Sequence, residues 1–237
     1  MVPEGHSDGF GLLLDPKSFA DTRWQIRGLA DFNRDGRTGI LWHHQASGDL
    51  YVWFMEGTKV IAGSYLTPRS FADTRWQIRG IADFNRDGQQ DILWHHQLTG
   101  DLYIWYLNET VVTAGSYLTP KSFADTRWQI RGVADFNQDG YADLLWHHQG
   151  TGDLYIWYLD ETLVTAGSYL TPKSFADTLW KIVQVADFDG DGQMDLLWHH
   201  QGTGDIYVWG LTGTVVTWGS YLTPPRFSDT NWKVVPR

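Results

Sequence analysis

An all-β chain built as a β-propeller of four-stranded antiparallel blades is what this sequence predicts, and three observations predict it. The chain repeats every 52 residues: Trp24, Trp76, Trp128, Trp180 and Trp232 share that spacing, as do Asp31, Asp83, Asp135 and Asp187. Residues 76–127 and 128–179 agree at 43 of 52 positions. Within each unit, short runs of alternating apolar and polar residues are separated by Gly, Asn and Asp clusters, and no stretch keeps a helical period. A fixed period of roughly 20–50 residues, or slightly more, marks solenoids, propellers and arrays.

The elements follow in order from one unit, residues 76–127. Trp76-Gln77-Ile78-Arg79-Gly80-Ile81-Ala82 alternates as a half-buried strand does. Asp83-Phe84-Asn85-Arg86-Asp87-Gly88 is a turn cluster. Ile92-Leu93-Trp94-His95-His96 makes a second strand, and Thr99-Gly100-Asp101 turns the chain tightly. Leu102-Tyr103-Ile104-Trp105-Tyr106-Leu107 is an aromatic and β-branched third strand. Residues 108–109 turn again, 111–117 form the fourth strand, and 118–126 are a long connection carrying Pro120. Four short strands per unit make a propeller blade, with a solenoid of β-hairpins as the alternative.

The reading is one domain over residues 1–237, with repeats 24–75, 76–127, 128–179 and 180–231 and closing strands in 1–23 and 232–237. Residues 9–18 line up with 113–122, and 231–235 line up with a first strand. The favoured architecture is a five-blade ring with an incomplete closing blade. A four-blade ring with extra termini, or completion by oligomerisation, are the alternatives.

Composition narrows the function. The net charge of −10 disfavours nucleic acid and anionic membrane surfaces. With no cysteine, disulfides, thiol chemistry and Cys-based zinc sites are excluded. No apolar run is long enough to span a membrane as a helix, and the first 15 residues do not read as a signal peptide. Fourteen Trp, three of them in each unit, read first as a repeated core and second as platforms for a ligand.

The loop between the first and second strands has the pattern D-x-[DN]-x-D-G-x-x-D. It holds Asp83, Asn85, Asp87 and Asp91; then Asp135, Asn137, Asp139 and Asp143; then Asp187, Asp189, Asp191 and Asp195. Oxygen-only side chains at alternate positions, a Gly for the sharp turn and a further carboxylate suit a hard cation, with the carbonyls of Gln89, Tyr141 and Gln193 as additional ligands. The plain alternative is an Asn/Asp/Gly turn satisfied by its own side chains. The first unit keeps Asp31, Asn33 and Asp35 but has Gly39 in place of the last carboxylate, so its site is expected to be weaker or empty. The expected ion is structural Ca2+, at three strong sites and one weaker. No Ser-His-Asp set, phosphate loop or general base stands out, and the chain is not expected to be an enzyme.

The unit W-x-I-x-G-x-A-D-F-N-x-D-G-x-x-D-[IL]-L-W-H-H resembles the FG-GAP/VCBS repeats of bacterial surface proteins, fungal lectins and integrin α-chain propellers, over residues 24–231. That resemblance implies calcium bound by the loop at the Asp and Asn positions named above. It also implies propellers that usually have seven blades, more than this chain has units.

The pairs His43-His44, His95-His96, His147-His148 and His199-His200 place adjacent residues on opposite strand faces, so no pair chelates one ion. Their plain reading is one inward His bonded to backbone and one at the rim. The face opposite the loops collects the second-to-third turns and the fourth-to-first connections. There His44, His96, His148 and His200, with Arg23, Arg75, Arg127, Tyr65, Tyr117 and Tyr169, form candidate ligand sites; Leu179 breaks the Arg series. Aromatic faces with convergent polar groups suit carbohydrate. A multivalent lectin is the leading reading, and a non-lectin, calcium-stabilised protein-interaction or adhesion scaffold the alternative. Glycans or glycoproteins are the expected partners, a homo-oligomer is allowed for, and a secreted or cell-surface location is expected.

Overall fold

A computed structural model describes residues 19–226 apart from 72, 124 and 176, and the statements below concern those residues. The closing strands expected at either end fall outside them, save for residues 19–23. The chain forms sixteen strands and no helix. The first blade is β1 (Trp24–Ala30), β2 (Gly39–His44), β3 (Leu50–Glu56) and β4 (Lys59–Tyr65). The second is β5 (Trp76–Ala82), β6 (Asp91–His96), β7 (Leu102–Asn108) and β8 (Val111–Tyr117). The third is β9 (Trp128–Ala134), β10 (Asp143–His148), β11 (Asp153–Asp160) and β12 (Leu163–Ser174). The fourth is β13 (Trp180–Ala186), β14 (Asp195–His200), β15 (Ile206–Thr212) and β16 (Val215–Tyr221). Each blade is an antiparallel meander, so sequence neighbours are ladder neighbours.

Both faces of a blade are covered, which is why every residue of β2, β6 and β10 is buried. Leu41 and Val52 of the first blade share one core with Ile78, Trp94 and Trp105 of the second. The same packing recurs where Leu93 and Ile104 meet Trp146 and Trp157. Phe71 precedes β5 and lies face-on to Trp76 and Trp105 and edge-on to Trp94. Twelve described Trp therefore serve as repeated core and flank, as their fixed positions predict. The thirteenth, Trp218, is 37% exposed.

Successive blades are joined along their innermost strands, β1 to β5 to β9 to β13. Gly80 makes the close approach possible, because a β-carbon there would run into Val133 of the next blade. A second junction was not expected. In the first three blades the Thr-Pro segment, which follows β4 and β8 and lies within β12, bridges in parallel to the fourth strand of the next blade: Thr67 to Val111, Thr119 to Leu163 and Thr171 to Val215. The third of these merges two blades into one eight-stranded sheet. Among the described residues β13 makes no contact with β1, so the four blades do not close on themselves.

Candidate metal loops and the opposite face

The antiparallel order sends all four carboxylate loops to one end of the blades and the second-to-third turns to the other. In the second loop the Asp83 carboxylate accepts from the backbone N–H of Asp87 at 3.0 Å and of Gly88 at 2.7 Å. Asp87 in turn accepts from Gln89 N–H at 2.7 Å, and Asn85 Nδ2 donates to Asp87 at 3.1 Å. Arg86 and Gly88 both sit at positive φ, which folds Asp83, Asn85 and Asp87 into one tight turn. Asp135, Asn137, Asp139 and Tyr141 repeat these bonds. Asp31, Asn33 and Asp35 do the same in the first loop.

Asp91 stands apart. It is fully buried, yet its two oxygens accept from Phe84 N–H at 2.9 Å and Leu107 N–H at 3.1 Å. Burial pushes its carboxyl up to about 6, with Asp87 and Asp83 adding to the effect. Asp143 and Asp195 hold the same two backbone groups in the third and fourth blades. Gly39 offers no carboxylate at that place in the first blade.

The fourth loop brings its carboxylates closest together: Asp187, Asp189 and Asp195 each offer an oxygen within 4.8 Å of the others. Backbone N–H groups, Gly192 foremost, hold Asp187 below the usual carboxylate range. Asp191 accepts from Gln193 N–H at 2.7 Å, and Trp218 Nε1 donates to Asp189 at 3.0 Å. The side chains that meet here offer carboxylate oxygens alone, a donor set that fits a hard divalent cation. The plain turn reading also has its bonds in place, since each loop satisfies its own backbone.

At the opposite end, Arg75 makes a fork onto Asp73, with Nη2 to Oδ2 at 2.7 Å. That bond holds Asp73 well below the usual carboxylate range. His96 is buried, and its Nδ1 accepts from Thr99 N–H at 3.1 Å. A backbone N–H can only donate, so the ring proton lies on Nε2, which donates to Asp73 at 3.2 Å. Asp21, Arg23, His44 and Ser47 repeat the network, as do Asp125, Arg127, His148 and Thr151. In the fourth blade His200 keeps Asp177 at 2.9 Å, with Leu179 in place of the arginine. Tyr65, Tyr117 and Tyr169 are 40%, 48% and 49% exposed. Tyr117 lies edge-on to Tyr103 at 4.7 Å and 6.5 Å from Trp76, whose neighbour in the chain is Arg75.

Both histidines of each pair are buried. His95 is 2% exposed and edge-on to Trp146 of the next blade, because both faces of the second strand are covered. Ser47, His44 and Asp21 form a hydrogen-bonded line that resembles a nucleophilic set. The serine, however, contacts the nitrogen that already takes a backbone N–H, and its Oγ accepts from Asp49 N–H. With Thr99, Thr151 and Thr203 in the other blades, the line reads as turn architecture.

The arginines of the innermost strands were not among the sequence candidates. Arg27, Arg79 and Arg131 each fall at a register shift in the first strand of their blade. A bulge re-aims its residue, and nothing in the local alternation signals one.

The family model described as an FG-GAP-like repeat matches the chain three times, over residues 31–94, 83–146 and 135–198. No curated protein matches the chain closely enough to count as a relative.

Proposed function

From the premise that the chain belongs to the FG-GAP-like repeat family, we propose that it is a calcium-stabilised, multivalent carbohydrate-binding scaffold. The observation that carries this reading is the repeated end-face patch. An exposed tyrosine edge, a half-buried tryptophan and an arginine fork locked by Asp and His recur in three blades with the same bond lengths. Rings placed beside fixed polar groups suit sugars, whose C–H faces stack while their hydroxyls take hydrogen bonds.

Calcium would be held by the carboxylates of the loops, Asp187, Asp189 and Asp195 being the best assembled set. Asp83, Asn85, Asp87 and Asp91, and Asp135, Asn137, Asp139 and Asp143, offer the same donor chemistry. When bound, the ion supplies only charge neutralisation within a crowded acidic turn. Millimolar calcium outside cells would fill loops of modest affinity, which favours a secreted or surface location. No covalent step is assigned to any residue.

A glycan array probed with calcium and with EDTA tests the reading. Binding to a defined sugar, lost in Arg75→Ala and Arg127→Ala, supports a lectin. A blank array from folded, calcium-loaded protein would leave the protein-interaction scaffold as the function.

A further inference from the structure

Cations gather along the inner strands of this acidic protein, and among the described residues no carboxylate pairs with them. Arg27, Arg79 and Arg131 occupy the bulges of β1, β5 and β9. In β13 that place holds Val183, but Lys181 stands two residues earlier, where the other blades carry Gln25, Gln77 and Gln129. Four positive side chains thus line the innermost edges of four consecutive blades.

Their partners are neutral. Arg27 Nη2 donates to Gln45 at 3.0 Å and, across the blade junction, to Gln77 at 3.4 Å. Arg79 Nη2 repeats this with Gln97 at 3.0 Å and Gln129 at 3.4 Å. Arg131 and Lys181 share Gln149, at 3.3 Å and 3.4 Å. The Nε of each arginine is buried and has no hydrogen-bond partner among the described residues. A buried donor left unmet is costly, and like charges brought together add to the cost. Arg79 registers both: burial first, then Arg131 and Arg27, bring it down to about 10.

Arg79 and Arg131 also line a cavity of ≈ 160 Å³, walled otherwise by the innermost strands at Gly28, Gly80 and Gly132. Beside the glycines, Leu29, Ile81, Val133 and Val185 make the rest of the wall apolar, so the two arginines and Gln184 are its polar side chains. Burial, unmet donors, mutual repulsion and a small cavity lined by two arginines meet at one place. We propose that the inner strands form a binding site for a small oxyanion, of sulfate, phosphate or carboxylate chemistry, held chiefly by Arg79 and Arg131 with Arg27 and Lys181 supplying field. Guanidinium forks match such oxygens in geometry as well as charge. The site is independent of the end-face patches and of the carboxylate loops.

Thermal melting of the whole chain in calcium tests the site, with sodium sulfate as the probe. Low millimolar concentrations keep general salt effects small, and sodium chloride at equal ionic strength is the control. Sulfate is expected to raise Tm by several degrees over chloride, and the gain is expected to vanish in Arg79→Gln/Arg131→Gln. That variant, relieved of repulsion, should melt no lower than wild type in chloride. A parallel acetate arm separates a carboxylate site from a tetrahedral-anion site, since the better stabiliser names the class. Equal melting in sulfate, acetate and chloride would overturn the proposal, as would an undiminished sulfate gain in the double variant. Should the double variant fail to fold, calorimetric titration of sulfate into wild-type protein decides alone: saturable binding near one ion per chain supports the site, and its absence ends it.

Discussion

Asp91 takes a carboxylate into a dry place because two backbone groups need it there. Phe84 N–H and Leu107 N–H point at its two oxygens. Asp91→Ala leaves both donors unmet and should cost about 2–5 kcal/mol, whereas Asp91→Asn keeps one acceptor and should cost less. Urea unfolding in EDTA measures this apart from any metal; equal losses for the two variants would refute the backbone role. The spacing marked Asp91 as an oxygen donor for a cation, but not as the peg between the loop after β5 and strand β7, because its second partner lies sixteen residues away. The inner histidines give a second residue-scale prediction. Burial first, then Arg79, lowers His95 from its ordinary 6.5 to about 4, and Arg27 does the same for His43. His147 falls to about 3. The unfolded chain binds these protons first, so folded stability is complete above pH 6.5 and is lost as the pH falls towards 4, by up to about 3 kcal/mol per histidine. Asp91 and Asp143, raised to about 6, act in the opposite sense between 3.8 and 6. The comparison of wild type with His95→Gln therefore isolates the effect, and the variant should show the shallower acid limb in unfolding free energy against pH.

A compensated exchange between neighbouring strands is visible at the scale of the element. Tyr106 faces Ala114 across β7 and β8, and Tyr158 faces Ala166 across β11 and β12. In the fourth blade Gly210 faces Trp218. The large ring has moved to the outer strand, and its indole fills the space a β-carbon at Gly210 would need. Gly210→Tyr should therefore destabilise by about 1–3 kcal/mol through overpacking, and Trp218→Ala in the same chain should restore most of it. A double-mutant cycle in urea should yield a coupling of about 1–3 kcal/mol; additive single effects would show that the two sites do not share the space. Strands of this kind were legible because alternation and Gly-Asp turns recur four times in step; the notional boundaries 76–82 and 111–117 are those of β5 and β8. The bulge at Arg79 was not, since Gln-Ile-Arg-Gly-Ile alternates as well with one extra residue as without it. Nor was the bridge from Thr119 to Leu163, whose partner lies in the next repeat and whose Thr-Pro reads as a turn. The burial of both histidines was missed for a related reason: one strand's pattern does not reveal that neighbours will cover its second face.

Metal and shape meet only at the scale of the whole molecule. The four loops stand at one end of consecutive blades and are in contact: Arg34 of the first donates to the Asp87 carbonyl of the second at 2.8 Å, and Gln138 of the third donates to the Gly192 carbonyl of the fourth at 2.9 Å. Each blade shares its core with the next, so a loop that loosens its own blade loosens a neighbour's packing. Ion binding to the folded state alone adds about 2.7 kcal/mol per loop at a hundred-fold excess over Kd. For a domain of this size about 1 kcal/mol moves Tm by about 2–4 °C. Three strong loops filled by calcium should then hold Tm about 15–30 °C above its value in EDTA. The first loop should contribute least, because Gly39 brings no carboxylate to it. Calorimetric titration of calcium into chelator-treated protein should show about three strong sites and one weaker, and Asp195→Asn should remove one of the strong ones. Melting that is indifferent to EDTA would mean that the loops are plain turns, held by the backbone bonds that Asp83, Asp135 and Asp187 already accept.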